Sequence, residues 1–294
     1  MEKYRIIVAY DFQELSDIAL NRAYKLARFV NTGILLVSVV NDELFLLSDL
    51  FKNEDSDNAK KKMVDIIHRE MSERLQKIAE RASAESGVPV SFRIETGKIY
   101  ERILSAAKEI APRFIVMGRT SKQTSLIRFG SNAMHVVEKS SCPVITIPNA
   151  QCDADFKNIL LPIDLTKQTR EEVFNAVSFG LFFDARIHLV SVVMGGIVER
   201  KSRIYTKMQN MKKAIEENGV KCTEKLFKKS SRAIHEVILE YADEIRADSI
   251  MIMTHQEIST SDKYIGAVAH QLINDSSVPV ISLTSAASSV NNTK

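Results

Sequence analysis

The sequence predicts an α/β protein built from two copies of one doubly wound parallel sheet. Short apolar runs without polar alternation recur along the chain, as in strands that are buried on both faces. Stretches with apolar residues at helical spacing separate these runs, which is the order typical of parallel sheets with crossover helices. The pattern of the first half of the chain then begins again in the second half.

The first copy predicts the order βαβαβαβαβ. The strands are predicted at residues 5–10, 34–40, 88–95, 114–117 and 144–147. Ser16 and Asp17 are of the residue types that cap helices, and an apolar stripe follows them up to Val30. Further helices are predicted over 56–86 and 99–110. The apolar segment 42–52 is less certain: a lid or partner-docking segment and a short helix packed on its own domain both fit.

Three short motifs recur in order and decide the number of domains. The pattern IIVAYD at residues 6–11 returns as ILLPID at 159–164, and VSVV at 37–40 returns at 190–193. Both pairs are separated by the same offset of 153 residues. SCPVI at 141–145 returns as SVPVI at 277–281, at an offset of 136. We therefore expect two domains, at 1–150 and 156–284, followed by a small polar tail at 285–294 that is typical of disorder.

The composition excludes several classes of protein. Hydrophobic residues make up 45% and charged residues 26% of the 294 positions, as in a soluble globular protein. A net charge of +3 gives no strong attraction to nucleic acid or to an anionic membrane. No apolar run reaches the roughly 20 residues that span a bilayer, and the N-terminus lacks a signal-peptide layout. Three cysteines without metal-like spacing indicate reduced thiols and a cytoplasmic protein.

The segment 114–148 carries the strongest signal for a ligand. A buried-type strand ends at Gly118, a polar loop runs to Gly130, and Ser131 can cap a helix. Glycines permit close approach of the backbone, and the first N–H groups of a helix attract anions such as phosphate. Taken alone this is weak, because many strand–helix turns contain one glycine and one serine.

The order of these motifs, in two tandem copies over nearly the whole chain, resembles the universal stress protein family. Nucleotide-binding members carry Gly-x2-Gly-x9-Gly-(Ser/Thr) after the fourth strand. This sequence has Ser121 at the second glycine, and only eight residues separate Ser121 from Gly130. The resemblance implies two Rossmann-like domains of the adenine nucleotide alpha hydrolase-like type, each with a five-stranded sheet.

The resemblance also implies an adenine-nucleotide site in the first copy, with ATP or AMP as ligand and Mg²⁺ accompanying ATP. Asp11 matches the acid that contacts adenosine, and Val39 matches the position whose backbone meets adenine. The full set of implied cofactor-binding residues is Ala9, Asp11, Val39, Met117, Gly118, Arg119, Ser121, Gly130, Ser131 and Asn132. The alternative is that Asp11 and Ser131 only cap the helices that follow them.

The second copy departs further from the family pattern. Asp164 is kept, but Thr254 stands at the position of Gly118 and Glu257 at that of Ser121. A carboxylate where phosphate should lie is a like-charge conflict. We therefore expect no nucleotide in the second copy.

The expected function is a regulatory or protective role in the stress response, through unknown protein partners. A nucleotide-free scaffold that acts through protein contacts is the alternative. No nucleophile elbow, paired carboxylates or P-loop points to an enzyme, although slow ATP hydrolysis stays open. By the same resemblance, the last strands of the two copies pair edge to edge, and a further homodimer is compatible with the sequence.

Overall fold

The computed structural model describes residues 4–41, 56–119, 131–148, 155–165, 170–193, 203–228, 231–254 and 266–283. For Tyr4, residues 56–61 and Ser131, the description is limited to the backbone. The chain divides into two compact units, Met1–Cys142 (unit 1) and Pro143–Lys294 (unit 2). The predicted apolar segment 42–52 and the tail 285–294 lie outside the described residues.

Unit 1 alternates strands and helices in the order that the sequence predicts. Its described elements are β1 (Tyr4–Ala9), α1 (Glu14–Phe29), β2 (Gly33–Val40), α2 (Ser56–Ser86), β3 (Val90–Thr96), α3 (Ile99–Ile110), β4 (Phe114–Gly118) and α4 (Ser131–Lys139). The strands lie in the order β3-β2-β1-β4. β1 pairs in parallel with both β2 and β4, and β2 pairs in parallel with β3.

The core of unit 1 follows from two sequence patterns. Ile6, Ile7 and Val8 in β1 are fully buried, as expected of a central parallel strand covered on both faces. In α1, the stripe of small and branched residues at helical spacing is buried, while the outer face is polar. The continuous apolar runs and the helical stripe therefore specify the sheet and its cover together.

Unit 2 repeats this architecture. Its described elements are β5 (Val144–Ile147), β6 (Asn158–Pro162), α5 (Arg170–Phe183), β7 (Arg186–Val193), α6 (Arg203–Glu217), β8 (Cys222–Lys228), α7 (Ile234–Glu244), β9 (Ser249–Met253), α8 (Ala267–Asp275) and β10 (Val280–Leu283). The order is β5-β10-β9-β6-β7-β8. The five strands from β10 to β8 are parallel, as the repeat predicts.

β5 and β10 are the last strands of the two sequence repeats, and they pair antiparallel within unit 2. Val280 lies opposite Thr146 and Ser282 opposite Val144. Two strands that would otherwise each present an open edge are hydrogen-bonded to each other, as the sequence predicts.

The boundaries show which predictions need correction. α2, α3 and β5 begin and end where the patterns place them. β3 begins at Val90 rather than residue 88, because the N–H of Val88 donates to Ser86 Oγ in a turn, at 3.1 Å. The prediction that Ser16 or Asp17 caps α1 is wrong: α1 begins at Glu14 and both residues lie in its first turn.

A close contact seats α5 in unit 2. Gly180 faces Val220, and a Cβ atom added to Gly180 would lie 2.4 Å from Val220 Cγ1. Real Cβ atoms do not approach so closely, so the glycine is required by packing. Val220 itself is 4% exposed and has little room to move away.

We predict that Gly180→Ala lowers the free energy of unfolding by about 1–3 kcal/mol through this overlap. In a Val220→Ala background, which removes both Cγ atoms, the same change should cost less than half as much. Urea unfolding of the four proteins, followed by far-ultraviolet circular dichroism, measures the coupling. Additive losses would contradict the proposed contact.

Candidate functional site

The carboxyl ends of three neighbouring strands meet at one edge of the unit 1 sheet. Hydrogen-bond register places Ala9 of β1 opposite Val37 of β2 and Met117 of β4. The N–H of Tyr10 continues the ladder by donating to the carbonyl of Val37, at 2.9 Å. Ala9 is half-buried and Met117 is buried. In open α/β sheets, this edge is where ligands bind, at the point where the strand order reverses.

Val39 belongs to the same edge. It lies one residue before the end of β2 and is the half-buried position of a strand that is otherwise buried. Ala9, Val39 and Met117 are therefore an apolar set at the ends of three adjacent strands. The structure brings these predicted residues together on one side of the sheet.

Asp11 caps the start of α1, which was the alternative to its role in ligand binding. Its Oδ1 accepts a hydrogen bond from the N–H of Gln13, at 3.1 Å, and another from the hydroxyl of Ser16. The N–H of Asp11 donates in turn to Ser16 Oγ, at 3.1 Å. Asp11 nevertheless remains an exposed residue at the carboxyl edge. The cap fixes the carboxylate whether or not a ligand contacts it.

An aromatic contact beside Asp11 was missed by sequence reasoning. Phe12 has a left-handed backbone (φ 62°) and meets the ring of Tyr10 edge-on, with centroids 5.5 Å apart. The guanidinium of Arg74, on α2, lies 4.3 Å above the Phe12 ring. Burial raises the pKa of Tyr10, and the hydrogen bond that its hydroxyl donates to Asp17 raises it further. No local pattern links Phe12 to Arg74, because they are distant in sequence.

Gly118 has a role in packing. A Cβ atom at Gly118 would lie 2.7 Å from Leu15 Cβ and 3.2 Å from the Leu15 carbonyl oxygen. The glycine therefore lets the first turn of α1 approach the end of β4. This reason for glycine is independent of any ligand.

The start of α4 supplies the polar side of the candidate site. Ser131 is its first residue, Asn132 is half-buried, and the first N–H groups of a helix have no partner within the helix. Arg119, half-buried, follows β4 directly. Ser121 and Gly130 lie outside the described residues, as does the side chain of Ser131. A helix start beside a cation favours an anionic group.

The corresponding edge of unit 2 is built differently. Thr254, which replaces Gly118, is 1% exposed. Its N–H and its hydroxyl both donate to the carbonyl of Leu283, at 2.8 and 3.0 Å. Asp164 is exposed, like Asp11. Glu257 lies outside the described residues, and α8 begins at Ala267 with Gly266 as its N-cap.

A buried acid further distinguishes unit 2. Glu172, in the first turn of α5, is 2% exposed and occupies the repeat position of Ala19. Burial raises the pKa of its carboxyl group; Asp164 adds to this effect and Lys207 opposes it. The ammonium of Lys207 donates to the carbonyl of Leu165, at 2.8 Å. Sequence reasoning missed Glu172, although the 153-residue offset would have revealed the change from alanine.

The two edges therefore differ in chemistry. Unit 1 combines an apolar floor with a helix start and a nearby arginine, an arrangement that can hold a planar apolar group and an anion. Unit 2 places two carboxyl groups near its edge. Across the parts of the chain that the structure describes, no three His, Cys, Asp or Glu side chains are grouped so that they could hold a metal ion.

The profile of the universal stress protein family matches residues 4–148 and again 155–283. The chain belongs to the universal stress protein family. Its two matches confirm the tandem arrangement inferred from the sequence repeat.

Solved structures share this fold over nearly the whole chain. A universal stress protein from Archaeoglobus fulgidus has a TM-score of 0.71 at 19% identity, covering 95% of this chain and 97% of that chain. A protein of unknown function from Pseudomonas aeruginosa has a TM-score of 0.63 at 14% identity, covering 96% and 93%. At these identities the likeness establishes the fold alone. A search of curated proteins finds no match.

The described helices were also compared with the requirements of a membrane span. None of them combines the length and the apolarity needed to traverse a bilayer.

We predict that Asp11→Ala lowers the free energy of unfolding by about 1 kcal/mol without any ligand, because it removes the cap of α1. Ser16→Ala breaks the same small network, so the double variant should lose less than the sum of the two single losses. Thermal unfolding of the three variants measures this coupling. Additive losses would show that Asp11 does not act through Ser16.

Proposed function

We propose that this universal stress protein is a regulatory or protective module of the stress response that binds one adenine mononucleotide at the unit 1 edge. The observation that carries the proposal is the register that brings Ala9, Val39 and Met117 together at the sheet edge from which Gly118 and Arg119 lead toward α4. Two domains, over 1–150 and 156–284, complete the proposal.

The residues present suit such a ligand. An adenine ring would lie on the apolar floor, and the phosphate would take the N–H groups of the first turn of α4. Arg119 and Asn132 would add a charge and an amide beside it. Ser121, Gly130 and the Ser131 side chain belong to this set by sequence. ATP would bring Mg²⁺ with it, whereas AMP needs no metal to balance its smaller charge.

The second edge is proposed not to bind nucleotide. Glu172 and Asp164 place negative charge near the site where a phosphate would be held, and the repulsion is strong in a partly buried cleft. Lys207, the nearby cation, already donates to Leu165. Nucleotide would then act on one unit, and partners would respond to the state of that unit.

The proposed role is not enzymatic. A general base must lie within hydrogen-bond reach of the proton it removes, and no described residue of the unit 1 edge is placed as such a base. Nucleotide occupancy, rather than turnover, would then be the signal. A cytoplasmic location is proposed with it.

A second candidate function is a nucleotide-free scaffold. It is favoured by a specific observation: Asp11 and Gly118, two of the predicted ligand residues, both have roles inside the fold. In that case the protein would act through contacts with partners alone. The apolar segment 43–52, which was predicted to serve such contacts, lies outside the described residues.

Isothermal titration calorimetry with AMP, adenosine and ATP with Mg²⁺ tests the proposal. The informative variant is Asn132→Asp, which keeps the shape of the side chain and suits a helix start, but repels phosphate. We predict that it weakens AMP binding by about tenfold or more while leaving adenosine binding nearly unchanged.

Asn21→Asp is the matched control, since it makes the same change on the exposed outer face of α1. It should bind AMP like the wild type. No binding of any of the three ligands at millimolar concentration would overturn the nucleotide proposal and favour the scaffold. Equal loss of AMP and adenosine in Asn132→Asp would place the phosphate elsewhere.

A further inference from the structure

Helix α5 is apolar on every side, although it lies on the surface of unit 2. Its inner face packs into the unit through buried residues that include Ala176, Phe179 and Gly180. Its outer face carries Phe174 and Leu181, which are 47% and 58% exposed. Val177, half-buried, lies between them at helical spacing. A helix that is hydrophobic all round is normally covered on both sides.

The first repeat provides an internal reference for this face. At the same offset of 153 residues, the buried residues Ala23, Leu26 and Ala27 of α1 match Ala176, Phe179 and Gly180. The inner faces are thus equivalent.

The outer faces are not equivalent. The exposed residues Asn21, Lys25 and Arg28 of α1 match Phe174, Ser178 and Leu181 of α5. The fold therefore accepts polar residues at these positions, and the apolar residues of α5 require a different reason. Contact with another surface provides one, because exposed apolar patches mark interaction sites.

The charges at the two ends of α5 identify the partner surface. Arg170, exposed, is the first residue of the helix. Asp184, one residue past its end, has a side chain that is 97% exposed. A face with a cation at one end, an anion at the other and an apolar centre is complementary to itself when two copies run antiparallel. That arrangement also opposes the two helix dipoles favourably.

We infer that the outer face of α5 forms a two-fold homodimer interface, in which α5 packs antiparallel against α5 of a second copy. Phe174 and Leu181 pack around the axis, which passes near Val177 and Ser178. Arg170 lies beside Asp184 of the partner subunit at both ends. Fourteen residues give a contact about 21 Å long. An interface of that size is small, so the dimer is in the micromolar range or weaker. The inference does not depend on nucleotide binding.

Analytical ultracentrifugation of the full chain, from about 1 to about 300 µM, tests the inference. Wild type should pass from monomer to dimer over this range. The double variant Phe174→Asn/Leu181→Arg introduces the residues that α1 carries at the same positions, so the helix should tolerate it. We predict that it raises the dimer dissociation constant by about tenfold or more.

The control Phe29→Asn/Ile66→Arg makes the same changes at exposed apolar residues of α1 and α2. It should dimerise like the wild type. A wild type that stays monomeric throughout the range would overturn the inference. So would a dimer that the α5 variant leaves intact, or one that the control weakens equally.

Cysteine cross-linking tests the antiparallel geometry. Ser178→Cys lies near the proposed axis, whereas Lys25→Cys occupies the same repeat position on α1. Cys142 and Cys222 are buried, and Cys152→Ser completes the background. Oxidation should convert Ser178→Cys, but not Lys25→Cys, to a covalent dimer. Equal cross-linking of the two would contradict the proposed axis.

Charge reversal provides an independent check of the same geometry. Arg170→Asp and Asp184→Arg should each weaken the dimer, because each places like charges together at both ends. Combining them in one chain restores opposite charges across the axis and should restore dimerisation. Further weakening in the double variant would contradict the antiparallel pairing.

Discussion

Parallel hydrogen bonding between β1 and its two neighbours is the constraint on which the rest of unit 1 depends. Because β1 is buried on both faces, helices must cover it, and each crossover returns the chain to the same end of the sheet. The carboxyl ends of β1, β2 and β4 are therefore adjacent. The pairing of Ala9 with Val37 and Met117 sets their relative height. A ligand site at this edge is a consequence of the pairing, and its chemistry is decided by the few residues that follow each strand.

The turn from β1 into α1 combines structural and ligand roles in very few residues. Asp11 caps the helix, Phe12 stacks under Arg74, and Leu15 packs against Gly118. A side chain that is held for structural reasons is also preorganised for a ligand. The same economy makes mutations here hard to interpret, which is why Asn132, outside the cap network, discriminates better than Asp11.

The two repeats share a skeleton and differ where the skeleton allows it. The inner faces of α1 and α5 match, whereas Glu172 replaces Ala19 and apolar residues replace polar ones on the outer face of α5. The first of these changes alters the ligand edge of unit 2. The second alters a surface that the fold does not use. Together they are consistent with a first repeat that binds a ligand and a second repeat that binds a partner.

The sequence was sufficient for the fold because burial on both faces and helical spacing are local patterns. α2 and α3 begin and end where periodicity places them, and the pairing of β5 with β10 follows from the repeat. The start of α1 was misplaced because Ser16 is a typical capping residue, yet its hydroxyl bonds Asp11. The stacking of Arg74 on Phe12 could not be predicted, since it depends on how α2 lies in space.

Native mass spectrometry of the full chain with AMP tests the central claim most directly, because it counts bound nucleotides. The account predicts one AMP per chain at saturation, on wild type and on Asn21→Asp, and its loss in Asn132→Asp. Two molecules per chain would show that the acidic edge of unit 2 also binds nucleotide. None, at millimolar AMP, would contradict the claim that the unit 1 edge is a nucleotide site.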